Sequence, residues 1–203
     1  MEKIKQLEVL KAAEELVYLQ QGNEYSGHDY YHVKRVVNMA LDIAHKMEEP
    51  IDTFLLELVC WLHDVDDPKI VYSGEHTSVK SFLKLHEVDD NMASIVIDII
   101  SKLSYSASKK GLKETTIEGM IAQDADRLDA IGAVGIARTF AYGGANKRAM
   151  VSKGIEQSTR YHFDDKLFKL EQLMNTKEGK RIAKIRTAYM REFINQFDQE
   201  TKI

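Results

Sequence analysis

The segment IEGMIAQDADRLDAI, residues 117–131, shows the pattern that decides the fold class. At about 100° per residue, its apolar side chains fall within about 60° of Asp124 on one face of a helix. These side chains are Ile117, Met120, Ile121, Leu128 and Ile131. The pattern predicts an amphipathic helix with an aspartate near the centre of its apolar stripe. An isolated buried carboxylate is strongly destabilising, so Asp124 requires a basic side chain, a hydrogen-bond network or a metal ion beside it.

The rest of the chain shows the same helical periodicity. Only two prolines, Pro50 and Pro68, occur in 203 residues, and valine and isoleucine show no sustained period-two alternation. We therefore predict an all-α fold in a single domain, with Asp52 as the N-cap of the third helix. The predicted helices cover residues 3–21, 28–47, 52–63, 76–87, 91–103, 116–130, 132–142, 155–174 and 177–198, with a long loop at 104–116. The pattern leaves a break within 155–174 open.

Composition excludes several classes of protein. The longest apolar-or-glycine run covers residues 130–137, whereas a membrane-spanning helix needs ~20 such residues. The N-terminus has no signal-peptide pattern, and the single cysteine, Cys60, cannot form an intrachain disulfide. These features predict a reduced, cytoplasmic protein. The net charge of −4 speaks against a general nucleic-acid or anionic-membrane surface, although a local basic pocket for phosphate stays open.

Three separate helices each direct a side chain of metal-ligand type toward an apolar interior. The first of these side chains is Asp124. The second is His63, at the C-terminal end of the apolar face of the third helix, and Asp64 comes directly after it. His32 lies at the edge of the apolar face of helix 28–47. Imidazole nitrogen and carboxylate oxygen together suit Mn, Fe, Zn, Co or Ni, and suit Mg less well.

Each of these side chains also has a structural alternative. An interior histidine is commonly a hydrogen-bonded core residue, and Asp124 could form a buried ion pair with Arg127 or Arg138. Asp126 and Asp129 project away from Asp124, so we expect them to pair with neighbouring helices or loops rather than with a metal. Spacing alone does not decide between the alternatives.

Longer strings of residues resemble one family. His32, His63-Asp64 and Asp124 form an H…HD…D pattern, which resembles that of the HD-domain phosphohydrolase superfamily. The matching strings are Gly27-His28-Asp29 with Arg35-Val36, the HDVDDPK segment at 63–69, QDADRLDAIGA at 123–133 and GIARTF at 135–140. The last two are similar to the signature of a compact bacterial branch of about this length. The resemblance runs from about residue 25 to the C-terminal helix, with a motif core at 25–140 and packing helices at 150–203.

The resemblance implies an all-α bundle that binds one divalent metal ion through His32, His63, Asp64 and Asp124. Manganese is the preferred ion, with Fe, Co, Ni, Zn or Mg as alternatives. Members of the superfamily hydrolyse phosphoester or phosphoanhydride bonds, mostly in nucleotides. Some small members cleave nucleoside triphosphates to monophosphate and pyrophosphate, and we expect this (deoxy)nucleoside triphosphate pyrophosphohydrolase activity or a related hydrolysis here.

Differences between this sequence and the motifs of other branches of the superfamily restrict the expected activity. Two-metal HD phosphodiesterases carry additional histidines, often adjacent, whereas the other histidines of this chain are scattered. The alarmone hydrolases carry a motif that resembles HDxxED. In this chain Asp67 and Pro68 stand at the Glu-Asp positions of that motif, so the second acid is missing. The deoxynucleoside-monophosphate phosphatases usually carry a glutamate where this chain has Asp67. That branch therefore stays open.

Further residues have predicted roles beside the metal. Asp67 would orient the attacking water or act as general acid/base, and Lys69 would bind phosphate. Arg35, His28 and Arg127 are candidate substrate-binding residues. Their alternatives are a solvated loop charge for Lys69, an ion pair with a nearby aspartate for Arg35 and helix-terminal capping for His28.

A second class of function is a catalytically idle HD fold that senses a nucleotide or a protein. The presence of all the expected ligands, with Asp67 beside them, favours the enzyme. We expect a small-molecule nucleotide as substrate, with no nucleic-acid or membrane partner. The sequence leaves the oligomeric state open, so a homo-oligomer is possible.

Overall fold

The computed structural model describes residues 1–22, 29–66, 76–152 and 158–202. No strand occurs within these ranges, so the all-α prediction is confirmed. The α-helices are α1 (Lys3–Gln21), α2 (Tyr30–Ala44), α3 (Thr53–Leu62), α4 (Thr77–Leu85), α5 (Asp90–Leu103), α6 (Tyr105–Lys109), α7 (Ile117–Asp129), α8 (Gly132–Ala145), α9 (Tyr161–Asp165) and α10 (Lys177–Glu200). A 3₁₀ helix at Leu167–Leu173 lies between the last two.

Short polar side chains begin several of these helices. The Asp52 carboxylate accepts a hydrogen bond from the Leu55 backbone N–H at 3.0 Å, which confirms the predicted N-cap of α3. Asp29 and Asp89 cap α2 and α5 in the same way. Such caps accept hydrogen bonds from the first backbone N–H groups, which have no acceptor within the helix. Each cap typically contributes ~1 kcal/mol to the stability of the protein.

Two predicted segments differ from the structure. The predicted loop 104–116 contains the five-residue helix α6, which Ser104 caps. The predicted helix 155–174, in which the sequence leaves a break open, is described from residue 158 and contains α9 and then the 3₁₀ helix, with Lys166 between them at φ −128°. The helical pattern of the apolar side chains continues through this segment, but the backbone hydrogen bonds do not.

The described residues form two compact units, and the boundary falls within α7, after Gln123. In the first unit, α3 is the central helix and contacts α1, α2 and α5. Its side chains from Phe54 to Leu62 are buried, with the exception of Glu57. The continuous apolar sequence of α3 therefore follows from its position among other helices.

In the second unit, α10 contacts α8 and the 3₁₀ helix. Phe140 of α8 is in ring contact with Phe163 of α9 and with Phe193 and Phe197 of α10, at centroid distances of 5.3–6.1 Å. The turn from α7 to α8 requires Gly132, whose φ is +81°. Among the described residues, no helix combines the length and hydropathy that crossing a membrane requires.

Candidate metal centre

In the first unit, the candidate site includes His32 of α2. His32 lies in the first turn of α2, on the helix side that buries Val36 and Ile43. The side chain is completely buried, with 0% of its residue surface exposed. The Asp29 carboxylate accepts a hydrogen bond from the His32 backbone N–H at 2.7 Å, which fixes the start of the helix and the position of the imidazole. The sequence placed His32 only at the edge of the apolar face.

His63 follows the last residue of α3, and its ring is oriented by its own helix. Nδ1 of His63 lies 2.7 Å from the Cys60 backbone carbonyl oxygen, which can only accept a hydrogen bond. Nδ1 is therefore the protonated nitrogen of the neutral ring, and Nε2 keeps its lone pair. A backbone carbonyl on one ring nitrogen is the usual arrangement for a histidine that binds metal through the other.

The Asp64 carboxylate lies beside both imidazoles. Its Oδ2 is 3.4 Å from Nε2 of His32, and its Oδ1 is 3.4 Å from Nε2 of His63. The two histidine rings are 5.6 Å apart between centroids and inclined at 70°. Two ligand atoms about 2.1 Å from one ion, at a tetrahedral angle, are about 3.4 Å from each other, so these separations fit a shared divalent ion.

Asp124, the predicted fourth ligand, is satisfied by protein hydrogen bonds. It is completely buried, and its carboxylate accepts hydrogen bonds from the backbone N–H groups of Asn175 and Thr176, both at 2.8 Å. It also accepts from Asn175 Nδ2 at 3.0 Å and from Thr176 Oγ1 at 2.8 Å. Burial raises the pKa of Asp124, although these hydrogen bonds act to lower it. This is the hydrogen-bond network that the sequence left open as an alternative to a metal.

The start of α10 is built around this carboxylate. A Cβ placed on Gly179 would lie 2.3 Å from Oδ2 of Asp124, so only glycine allows the helix to come this close. Four hydrogen bonds use about all the lone pairs of a carboxylate. As a metal ligand, Asp124 stays a prediction, and its contacts describe a structural role instead.

The next acid of α7, Asp126, is half-buried. We had expected Asp126 to pair with neighbouring helices or loops. Two residues turn a helix by about 200°, so Asp124 and Asp126 lie on nearly opposite sides of α7.

Gln123 holds α7 one turn before Asp126. Its buried Nε2 donates hydrogen bonds to the backbone carbonyl oxygens of Lys102 and Leu103, at 3.0 and 3.3 Å. These carbonyl groups lie at the end of α5 and would otherwise lack a partner within their own helix. These bonds hold the first turns of α7 against the end of α5.

The predicted substrate-binding arginines differ in exposure. Arg127 is buried, and its guanidinium donates to the backbone carbonyl of Leu173. Arg35 is half-buried on α2, one turn after His32. Arg138, the alternative partner of Asp124, instead forms an ion pair with Asp129 at 2.7 Å. Substrate binding by Arg35 and Arg127 stays a prediction. The other three predicted residues, Asp67, Lys69 and His28, lie outside the described residues.

Comparison with known proteins relates this geometry to one family. The HD domain family model matches residues 29–131. The YpgQ protein of Bacillus subtilis strain 168 is 39% identical over 181 residues, which cover 88% of this chain and 86% of YpgQ.

Solved structures extend the similarity over nearly the whole chain. A crystal structure from Lactobacillus plantarum has a TM-score of 0.85 and 32% identity, with 98% of each chain covered. An HD-superfamily hydrolase from Bacillus thuringiensis has a TM-score of 0.74 and 37% identity, covering 96% of this chain and 97% of that one. YpgQ was crystallised in complex with ADP, and that structure has a TM-score of 0.75, with 31% identity and coverage of 97% and 94%.

Proposed function

Since this chain belongs to the HD domain family and has the fold of its metal-dependent phosphohydrolases, we propose that it hydrolyses nucleotides. The preferred reaction is cleavage of a (deoxy)nucleoside triphosphate between its α- and β-phosphates. A water oxygen bonds to the α-phosphorus, the bond to the bridging oxygen breaks, and pyrophosphate leaves. The nucleoside monophosphate is the other product.

One observation carries this proposal: the Asp64 carboxylate lies 3.4 Å from Nε2 of His32 and 3.4 Å from Nε2 of His63. We propose that these three residues hold one divalent ion together with Asp126, which takes the place of Asp124 because the Asp124 carboxylate already accepts four hydrogen bonds. A set of nitrogen and oxygen ligands is compatible with Mn, Fe, Co, Ni or Zn, and we propose manganese among them. When bound, the ion would supply Lewis-acid stabilisation of phosphate charge and make water more acidic.

The protein groups have distinct proposed roles. The Cys60 carbonyl accepts a hydrogen bond from the Nδ1–H group of His63, so that Nε2 keeps its lone pair for the metal ion. Arg35 projects one turn beyond His32 and would bind substrate phosphate with its guanidinium. Asp67 would orient the attacking water or take its proton, and Lys69 would bind substrate phosphate and stabilise the charge that develops on it. His28 and Arg127 remain proposed substrate contacts.

The nucleotide class is supported by the relative that was crystallised with ADP. That structure covers 97% of this chain at 31% identity, so a diphosphate nucleotide is a reasonable guide to the ligand's chemistry. A nucleotide brings a polyphosphate that a divalent ion and basic side chains can bind together. We accordingly propose a nucleotide rather than another phosphoester.

A substrate panel tests the proposal. Purified protein loaded with Mn²⁺, Co²⁺, Ni²⁺ or Mg²⁺ would be incubated with nucleoside mono-, di- and triphosphates, and phosphate and pyrophosphate would be measured separately. We expect pyrophosphate from triphosphates, with Mn²⁺ more effective than Mg²⁺. Phosphate release from deoxynucleoside monophosphates alone would move the protein to the phosphatase branch. Bound metal and bound nucleotide without turnover would identify a sensor.

A further inference from the structure

A glutamine outside the residues matched by the family model contacts the backbone of a proposed metal ligand. Gln21 is the last residue of α1, and its side chain is completely buried, with 0% exposed. Its Nε2 donates a hydrogen bond to the backbone carbonyl oxygen of Asp64 at 3.3 Å. Gln20 and Gly22 on either side are exposed, so α1 turns this one polar side chain inward.

The contact acts on the segment that presents the ligands. His63 and Asp64 follow the end of α3, where the last carbonyl groups have no partner within the helix. Val65 closes one turn by donating to the Leu62 carbonyl oxygen at 3.2 Å. Gln21 adds a bond from another helix, and it restrains the peptide group that carries the Asp64 side chain.

The other end of the amide gives an independent argument. Oε1 of Gln21 is buried and accepts no hydrogen bond from the residues that the structure describes. Reversing the amide would place Oε1 against the Asp64 carbonyl oxygen, where two acceptors repel, so the assigned orientation is the favourable one. Methionine would fill a similar volume without burying a polar atom. The glutamine is therefore explained by what its Nε2 holds rather than by packing.

We propose that Gln21 is a positioning residue for the metal centre. By holding the Asp64 peptide, it keeps the Asp64 carboxylate between the Nε2 atoms of His32 and His63, each 3.4 Å away. The inference rests on the proposed function, because it takes Asp64 as a metal ligand. It adds α1 to the elements that build the centre.

The test compares Gln21→Met and Gln21→Glu with the matched control Gln20→Met. Both Gln21 variants keep the length of the side chain and remove the N–H donor, whereas Gln20 is exposed on the same helix. We would measure the Kd for Mn²⁺ by calorimetry, the visible absorption of the Co²⁺-loaded proteins, and the Tm of the metal-free proteins. Loss of an outer partner of a metal ligand typically weakens metal binding about 10- to 100-fold.

We expect both Gln21 variants to raise the Mn²⁺ Kd by about 10-fold or more and to change the Co²⁺ spectrum, while Gln20→Met matches the wild type. A purely structural role would lower Tm without changing the spectrum. Wild-type Kd and spectrum in both Gln21 variants would overturn this inference alone. A wild-type protein that binds neither ion would overturn the proposed function and this inference together.

Discussion

Asp64→Asn is expected to abolish metal binding and hydrolysis together. The substitution keeps the size of the side chain but removes the negative charge, and it places an amide nitrogen near one of the two imidazole Nε2 atoms, which lie 3.4 Å from the carboxylate oxygens. We expect the Mn²⁺ Kd to rise by more than about 100-fold, the upper range for loss of an outer partner, because Asp64 is a proposed ligand itself. Calorimetry and a product-release assay measure the two effects.

His63→Ala should give the same paired loss for a different reason. It removes the imidazole whose Nε2 is a proposed ligand atom. The Cys60 carbonyl oxygen, 2.7 Å from Nδ1, holds the ring proton on Nδ1 and so leaves the lone pair on Nε2. Metal binding at the wild-type level in either variant would remove that residue from the proposed ligand set. Hydrolysis that survives in both would contradict the proposed centre as a whole.

Asp66→Asn provides a control from the same segment. The Asp66 carboxylate accepts hydrogen bonds from the backbone N–H groups of Ser78 at 3.2 Å and Val79 at 2.9 Å, at the start of α4. His76, the residue at the N-cap position, makes no capping bond with its own side chain. We expect Asp66→Asn to lower the free energy of unfolding by about 0.5–2 kcal/mol and to leave the Mn²⁺ Kd within a few-fold of the wild type.

Local signals were sufficient for the longer helices. The apolar stripe of α2 and the Asp52 cap of α3 act within a few residues, so a single sequence contains them. Helix α6 was not predicted because its five residues are too few to show a period, and Ser104 is its cap. The sequence leaves a break in the segment 155–174 open without locating it at Lys166, because an apolar period does not distinguish α-helical from 3₁₀ hydrogen bonding.

The candidate site could be predicted only in part for a related reason. His32 and His63 were selected as candidate ligands because histidine is unusual on the apolar face of a helix, and Asp64 was added to them by the resemblance to the family. The same argument selected Asp124, which is indeed buried. Its partners, Asn175 and Thr176, lie 51 and 52 residues further on, and hydrogen bonds from a distant backbone leave no pattern in the helix that accepts them. Burial identified an aspartate that needs partners, but not what kind of partner.

Asp124→Asn and Asp126→Asn should therefore have opposite effects. In Asp124→Asn, an amide group faces four donors from Asn175 and Thr176, and at least one donor loses its acceptor. Each buried donor left without a partner costs about 1–3 kcal/mol, so the metal-free protein should lose stability in denaturant unfolding. The Mn²⁺ Kd, measured below the unfolding transition, should stay within a few-fold of the wild type.

In Asp126→Asn, we expect a large loss of metal binding and little change in stability. Asp126 is half-buried on the other side of α7, and it is a proposed metal ligand. The Mn²⁺ Kd should rise by more than about 100-fold, while the free energy of unfolding of the metal-free protein changes by less than about 1 kcal/mol. Weak metal binding in Asp124→Asn together with normal binding in Asp126→Asn would return the ligand role to Asp124. The two substitutions are chemically identical and two residues apart on one helix, so only the direction in which each carboxylate points can separate their effects.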